Sequence, residues 1–210
     1  MTQKIFLIIS LLFTSLFLSA CGKKNNQDFT FTNDEEMVDD IGSYTDELSS
    51  AKINITQTID LNQEVKIAYQ TKNPDGQGQA TFKVKSLKQI DSAGQKVAEE
   101  GKKLVLAEIA VLGDAKNQGN PSNFNQIGAN PSPQFVIINQ DKNQTLVEDS
   151  YYSGGYTEDK GLFELSKITL DHQVWINTAI VFNLDADQSL DLALRFINPE
   201  GIVEFYHVKQ

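Results

Sequence analysis

Two histidines, one cysteine and a run of aspartates are the side chains of this 210-residue chain whose spacing could carry chemistry. A serine-type nucleophile needs an imidazole base within reach, itself oriented by a carboxylate. His172 follows Asp171 in a segment that reads as a turn, and His207 alternates with Phe205 and Val203 on what reads as the last strand. Neither stands near a G-x-S-x-G nucleophile motif, so the reading is one solvated histidine and one on a sheet face, with no catalytic residue. Two histidines and a single cysteine provide no zinc-ligand spacing. In NLDADQSLD, Asp185, Asp187 and Asp191 begin like a calcium loop. Leu190 then stands where that loop needs glycine, and Phe196 where it needs glutamate. The segment reads as an acidic turn between strands, and neither metal nor cofactor is expected.

Recognition is the other chemistry on offer. DSYYSGGYTEDKG sets Tyr151, Tyr152 and Tyr156 around Gly154-Gly155, in a stretch that reads as a loop. Tyrosines beside adaptable Ser and Gly are how antibody-like paratopes gain contact area at low entropic cost. The same rings could instead cover the end of the folded domain. A second candidate is Asn123-Phe124, inside a Gly-, Asn- and Pro-rich segment from Gly113 to Pro133 that is too long for an ordinary connection.

Cys21 demands its own account. Ahead of it lie Lys4, the apolar run Ile5 to Leu18, and the small residues Ser19 and Ala20, which is the layout of a secretory signal. The apolar run rises only ~21 Å at about 1.5 Å per residue, short of a hydrocarbon core of about 30 Å. Leu18-Ser19-Ala20-Cys21 resembles the lipobox of bacterial lipoproteins at every position. The resemblance implies cleavage before Cys21 and a diacylglyceryl group on its sulfur, with further acylation of the new amine. It places the protein at the cell membrane, facing outward from the cytoplasm. Two or three acyl chains are needed because each buried CH₂ contributes only about 0.8 kcal/mol and a single chain holds marginally.

Charge narrows the remaining partners. The chain carries a formal −10, and the first twenty residues contribute only Lys4, so the mature protein stands at −11. Its one arginine is Arg195. Nucleic-acid binding needs clustered cations to displace counterions, so it is excluded. With no second cysteine, the exported domain folds without disulfides. Residues 1–20 thus read as signal and 21–50 as the acylated cysteine with a flexible acidic linker spanning roughly 30 Å. Residues 51–210 read as one folded domain.

That domain reads as strands. Strict alternation groups Ile53, Ile55 and Ile59 on one face, and likewise Val65, Ile67 and Tyr69. The same holds for Ala80, Phe82 and Val84, and for Leu190, Leu192, Leu194 and Phe196. LVLAEIAV, FVII and WINTAIVFNL are apolar on both faces and read as central strands; the first could instead be a helix, which its Leu, Ala and Glu favour, while Gly101, Val105, Ile109 and Val111 favour the strand. Turn residues fall at Asn73 to Gly76, Asp91 to Gly94 and Asn198 to Gly201, and GIVEFYHV closes the chain as a strand. Eight to ten short strands without a long amphipathic helix predict an all-β sandwich.

The order GKKLVLAEIAVLGDAKN, an Asn/Pro-rich loop, FVIINQDKNQTL and ELSKITLDHQVWINTAIVFNLDADQSLDLALRFI resembles the telokin-like, immunoprotective extracellular domains of bacterial surface lipoproteins. The match runs from Thr81 to Val208, with Asp171-His172, Asn177-Thr178 and Asp185 departing from the family's usual Pro-Gly, Gly and Pro. It implies an immunoglobulin-like sandwich and transfers no catalytic residue. The expected role is a lipid-anchored binding module with an unknown protein partner. The alternatives are an accessory subunit of a membrane complex or an envelope enzyme or small-ligand carrier.

Overall fold

Alternating apolar residues fold here into two five-stranded sheets that face one another. The computed structural model describes residues 51–70, 77–114, 133–171 and 173–210. Cys21 and both N-terminal segments, the turn at Asn73 to Gly76, Asn123-Phe124 and His172 lie outside the described residues.

One sheet is built from β1 (Ile55–Asp60), β12 (Val203–Lys209), β11 (Leu192–Ile197), β7 (Gln134–Asn139) and β8 (Gln144–Val147), in that order. The other runs β2 (Val65–Gln70), β3 (Gln77–Ile90), β6 (Lys102–Gly113), β10 (Ile176–Asp185) and β9 (Phe163–Glu164). Two further segments, β4 (Ser92–Ala93) and β5 (Lys96–Val97), form a small hairpin. β1 enters parallel to β12, whereas the long neighbours β3, β6 and β10 are antiparallel. The all-β sandwich expected from periodicity is the fold observed.

Phe82 of β3 meets Phe135 of β7 edge-on, with ring centroids 5.5 Å apart, which joins the two sheets through the core. Ile67, Tyr69, Val84, Ile109, Ile180, Phe182, Leu194 and Phe196 fill the same layer. Where β2 meets β3, Tyr69 lies opposite Gly78, and its ring occupies the space a Cβ there would need.

The doubly apolar strands have a cause visible only in three dimensions. On β6 and β10 the core side is Val105, Ala107, Ile109, Ile180 and Phe182. Leu104, Leu106, Ala179 and Val181 point the other way, into a second cluster closed by Tyr152 and Ala93. The cover is the helix α1 (Ser150–Lys160), together with the β4–β5 hairpin. Asp149 caps α1 by accepting from the N–H groups of Tyr151 (3.0 Å) and Tyr152 (3.4 Å). Gly161, at φ 64° and ψ 33°, ends it in the left-handed conformation.

Three expectations need correcting. The Tyr-rich stretch is helix, not loop: its end signals prevail over two interior glycines because the helix gains a sheet face to cover. Ile53, Ile55 and Ile59 do not share a face. Ile55 pairs with Phe205 and Gln57 with Tyr206, so Thr56 is a bulge residue that reverses the alternation. Ile59 therefore enters the main core, while Ile53 and Ile55 pack on the outer face against Val136, Ile138, Ala193 and Phe205. β11 is also buried on both faces rather than half-buried: Ala193 packs with Ile53 and Ile55 in that outer cluster, and Arg195 is covered. Arg195 donates to Thr145 Oγ1 (3.0 Å) and Gln134 Oε1, and burial lowers its pKa to about 10.

Candidate functional site

The three tyrosines separate by depth once they are on a helix. Tyr152 is 5% exposed, and its hydroxyl donates to the carbonyl of Val97 at 3.1 Å. Burial pushes this phenol's pKa up. It is a cover residue that seats α1 on the sheet and on the hairpin. Tyr156 is half-buried against the same cluster, with the Lys160 ammonium 5.8 Å from its ring centroid. Tyr151 alone projects into solvent, 62% exposed. The two rings at 151 and 152 meet edge-on at 5.3 Å, so the buried one props the exposed one.

Tyr151 is held from the other side as well. Lys96, on the β4–β5 hairpin, donates from Nζ to the Tyr151 carbonyl (2.5 Å) and stands 3.5 Å from its ring centroid. Past the far end of α1 the chain turns into β9, where Phe163 is 68% exposed. Between Tyr151 and Phe163 lies a groove of about 460 Å³, floored by Gly154 and bounded by Glu158, Glu164 and Lys167. Lys167 and Glu164 pair across 2.7 Å, leaving the rim with one internally neutralised pair. Two exposed rings about a glycine floor, one on α1 and one on β9, form a surface for burying an apolar or aromatic group of a partner.

The hydrogen bonds beneath α1 explain why this surface is fixed. β9 covers β10 only at Thr178 and Ala179, so the β10 backbone beyond it needs another partner. The Asp149 N–H donates to the Val181 carbonyl (2.9 Å), and the Val181 N–H donates to Ser153 Oγ (2.9 Å). Ser153 in turn donates to Glu148 (2.8 Å). The start of α1 therefore closes the open edge of the sheet.

His207 and the acidic turn come together at the opposite kind of surface. Asp141, Lys142, Asp185, Asp187, Asp191 and His207 line a polar cavity of about 470 Å³. Asp185 is bound by Lys102 at 2.6 Å, a hydrogen bond that holds its carboxyl below the usual range. Lys103 donates to the carbonyls of Ala186 (2.9 Å) and Gln188 (2.6 Å), pinning the turn to β6. His207 Nε2 stands 3.6 Å from Asp191. Among the described residues no group of three His, Cys, Asp or Glu side chains could hold a metal ion. Nor is any helix among them long and apolar enough to cross a membrane.

Of the residues singled out for binding, the structure thus brings Tyr151, Tyr152 and Tyr156 onto one helix and gives them different tasks. Sequence reasoning passed over Phe163 and Lys96, which complete the groove. Phe163 carried a weak signal, an aromatic two residues after a helix-ending glycine; Lys96 carried none, because only the hairpin's docking brings it to Tyr151.

No protein-family model matches the chain, and neither does any curated protein sequence. Two crystal structures are similar in backbone. A conserved hypothetical protein from Bacillus anthracis is 15% identical, with a TM-score of 0.40 over 70% of this chain and 98% of that one. A protein of Bacillus subtilis subsp. subtilis str. 168 described as a "putative lipoprotein (ycdA)" is 13% identical, with a TM-score of 0.38 over 70% of this chain. This chain spans 39% of the length of that second protein. Likeness at this level assigns no function.

Proposed function

We propose that the chain is a lipid-anchored, non-catalytic binding module of the bacterial cell surface. Acyl groups on Cys21 hold it at the outward side of the membrane, residues 22–50 act as an acidic tether, and the sandwich meets a protein partner. The domain is read as telokin-like on the segments quoted above. The binding face is the groove between Tyr151 and Phe163. One observation carries this reading: two large rings, 62% and 68% exposed, flank a groove on a helix whose buried side is locked to the sheet. Exposed aromatics on a pre-organised scaffold lose little entropy on binding.

Both halves of the reading are open to test. In cells fed an alkyne-tagged fatty acid, the full chain takes up label and a Cys21→Ala chain takes up none; equal labelling removes the anchor. A photo-crosslinking residue at Tyr151 or at Phe163 yields the same discrete adduct in intact cells. The same probe at Val174, exposed elsewhere, yields none. Adducts of equal yield from all three positions, or from none, remove the binding face. An adduct with an integral membrane protein would make the chain an accessory subunit of that complex.

A further inference from the structure

Gly154 sits in the interior of α1, where glycine weakens a helix relative to alanine. Its neighbour Gly155 has a packing reason, since a Cβ there would fall 2.9 Å from Lys96 Cδ and 3.0 Å from the Ala93 carbonyl oxygen. A Cβ at Gly154 would meet only Glu164 Oε1, at an ordinary 3.8 Å. No contact among the described residues therefore requires the bare position, which floors the groove between Tyr151 and Phe163.

Two groups bordering that floor are also unmatched. The Tyr151 ring is engaged, by the Lys96 ammonium 3.5 Å from its centroid and by the Tyr152 ring edge-on at 5.3 Å. The Phe163 ring, 68% exposed, meets no ring or cation among the described residues. The carboxylates divide in the same way. Glu164 is tied to Lys167 at 2.7 Å and Asp159 to Lys160 at 2.8 Å. Glu158 accepts at its backbone carbonyl from the Gly161 N–H, but its carboxylate has no partner among the described residues. It stands one helical turn past Gly154 on the same face, and helical side chains lean toward the N-terminus, so it overhangs the bare floor. The groove's own cations are already engaged, Lys96 by the carbonyl and ring of Tyr151 and Lys167 by Glu164.

A free ring, a free carboxylate and an empty floor between them complement a cation carried on an apolar stem. We infer that the groove receives an arginine side chain of the protein partner, an inference that rests on the binding face proposed above. The stem lies over Gly154, and the planar guanidinium stacks on Phe163 while presenting paired N–H donors to Glu158. Lys96 over Tyr151 is a pairing of the same kind made within the chain. A neutral apolar group in that place would desolvate Glu158 without a counter-ion, and an acidic one would be repelled by it.

The photo-crosslinking residue at Tyr151, read in intact cells with second changes on α1, tests the occupant. Gly154→Ala should lower the adduct yield about tenfold although the same variant is the more stable in urea, a combination that damage to the fold does not produce. Glu158→Gln should lower the yield by a similar factor and Glu158→Lys should abolish it. Asp159→Asn, which removes the carboxylate already bound by Lys160, should leave it unchanged. Sequencing of the adduct should find an arginine close to the crosslink, and replacing that arginine by glutamate together with Glu158→Arg should restore the yield. No adduct from the chain without second changes would remove the binding face and this inference with it. An adduct that forms, but is undiminished by Gly154→Ala or by Glu158→Gln, or whose partner segment holds no arginine, would leave the face standing and overturn the arginine.

Discussion

Gly154 and Gly155 are neighbours in α1, yet alanine at the two positions should act in opposite directions. Any interior Gly→Ala change in a helix gains about 1 kcal/mol from propensity, much of it through the unfolded chain. Because that contribution is common to both, the difference between the two variants reports native contacts alone. A Cβ at Gly154 finds nothing nearer than Glu164 Oε1 at 3.8 Å, so the full gain of about 1 kcal/mol remains. A Cβ at Gly155 falls 2.9 Å from Lys96 Cδ and 3.0 Å from the Ala93 carbonyl oxygen. The lysine can swing aside, but the carbonyl belongs to the hairpin that covers Leu104 and Leu106, and overpacking of this kind costs about 1–3 kcal/mol. Gly155→Ala is therefore net destabilising by ~0–2 kcal/mol, and the two variants should differ by roughly 1–3 kcal/mol, or about 2–12 °C in Tm. Urea titrations followed by the fluorescence of Trp175, the chain's one tryptophan, would measure both. Equal stabilisation by the two alanines would refute the docking of the β4–β5 hairpin onto α1, and with it the placement of Lys96 beside Tyr151.

Ser153→Ala should cost about 1–3 kcal/mol in the same titration, since it leaves the buried Val181 N–H without its acceptor; a neutral result would mean that another group closes the β10 edge. The Ser86 hydroxyl donates to Glu108 and is the main cause of that carboxyl's lowered pKa, with Lys88 a smaller one. A carboxyl whose folded pKa lies below its unfolded value stabilises the fold above the unfolded value and loses that contribution as pH falls through the folded one. The stability gap between wild type and Ser86→Ala should therefore be full at about pH 7 and narrow as the pH falls below the ordinary carboxylate range, and a gap independent of pH would remove the pair's role.

Much of the sandwich was legible because one face of each edge-proximal strand is wet. Val65, Ile67 and Tyr69 alternate with Lys66 and Ala68 as the period of two requires, and all three apolar residues are buried. The bulge at Thr56 was not legible: nothing in ITQTID marks an extra residue, and the pairing of β1 with a strand some 150 positions away creates it. The helix was half legible. Asp149 before it and Gly161 after it are end signals of the ordinary kind, but Gly154-Gly155 outweighed them in any local reading.

The amino-acid order by itself determined the apolar run ahead of Cys21, the acidic charge, and strands with one apolar face, because each depends only on neighbours along the chain. Tertiary structure alone decided that Tyr152 is buried and Tyr151 exposed, and that Lys96 and Phe163 join Tyr151. Those outcomes depend on which surfaces of β6 and β10 remained uncovered once the sheets had paired, a property of the assembled fold that no local stretch of sequence contains.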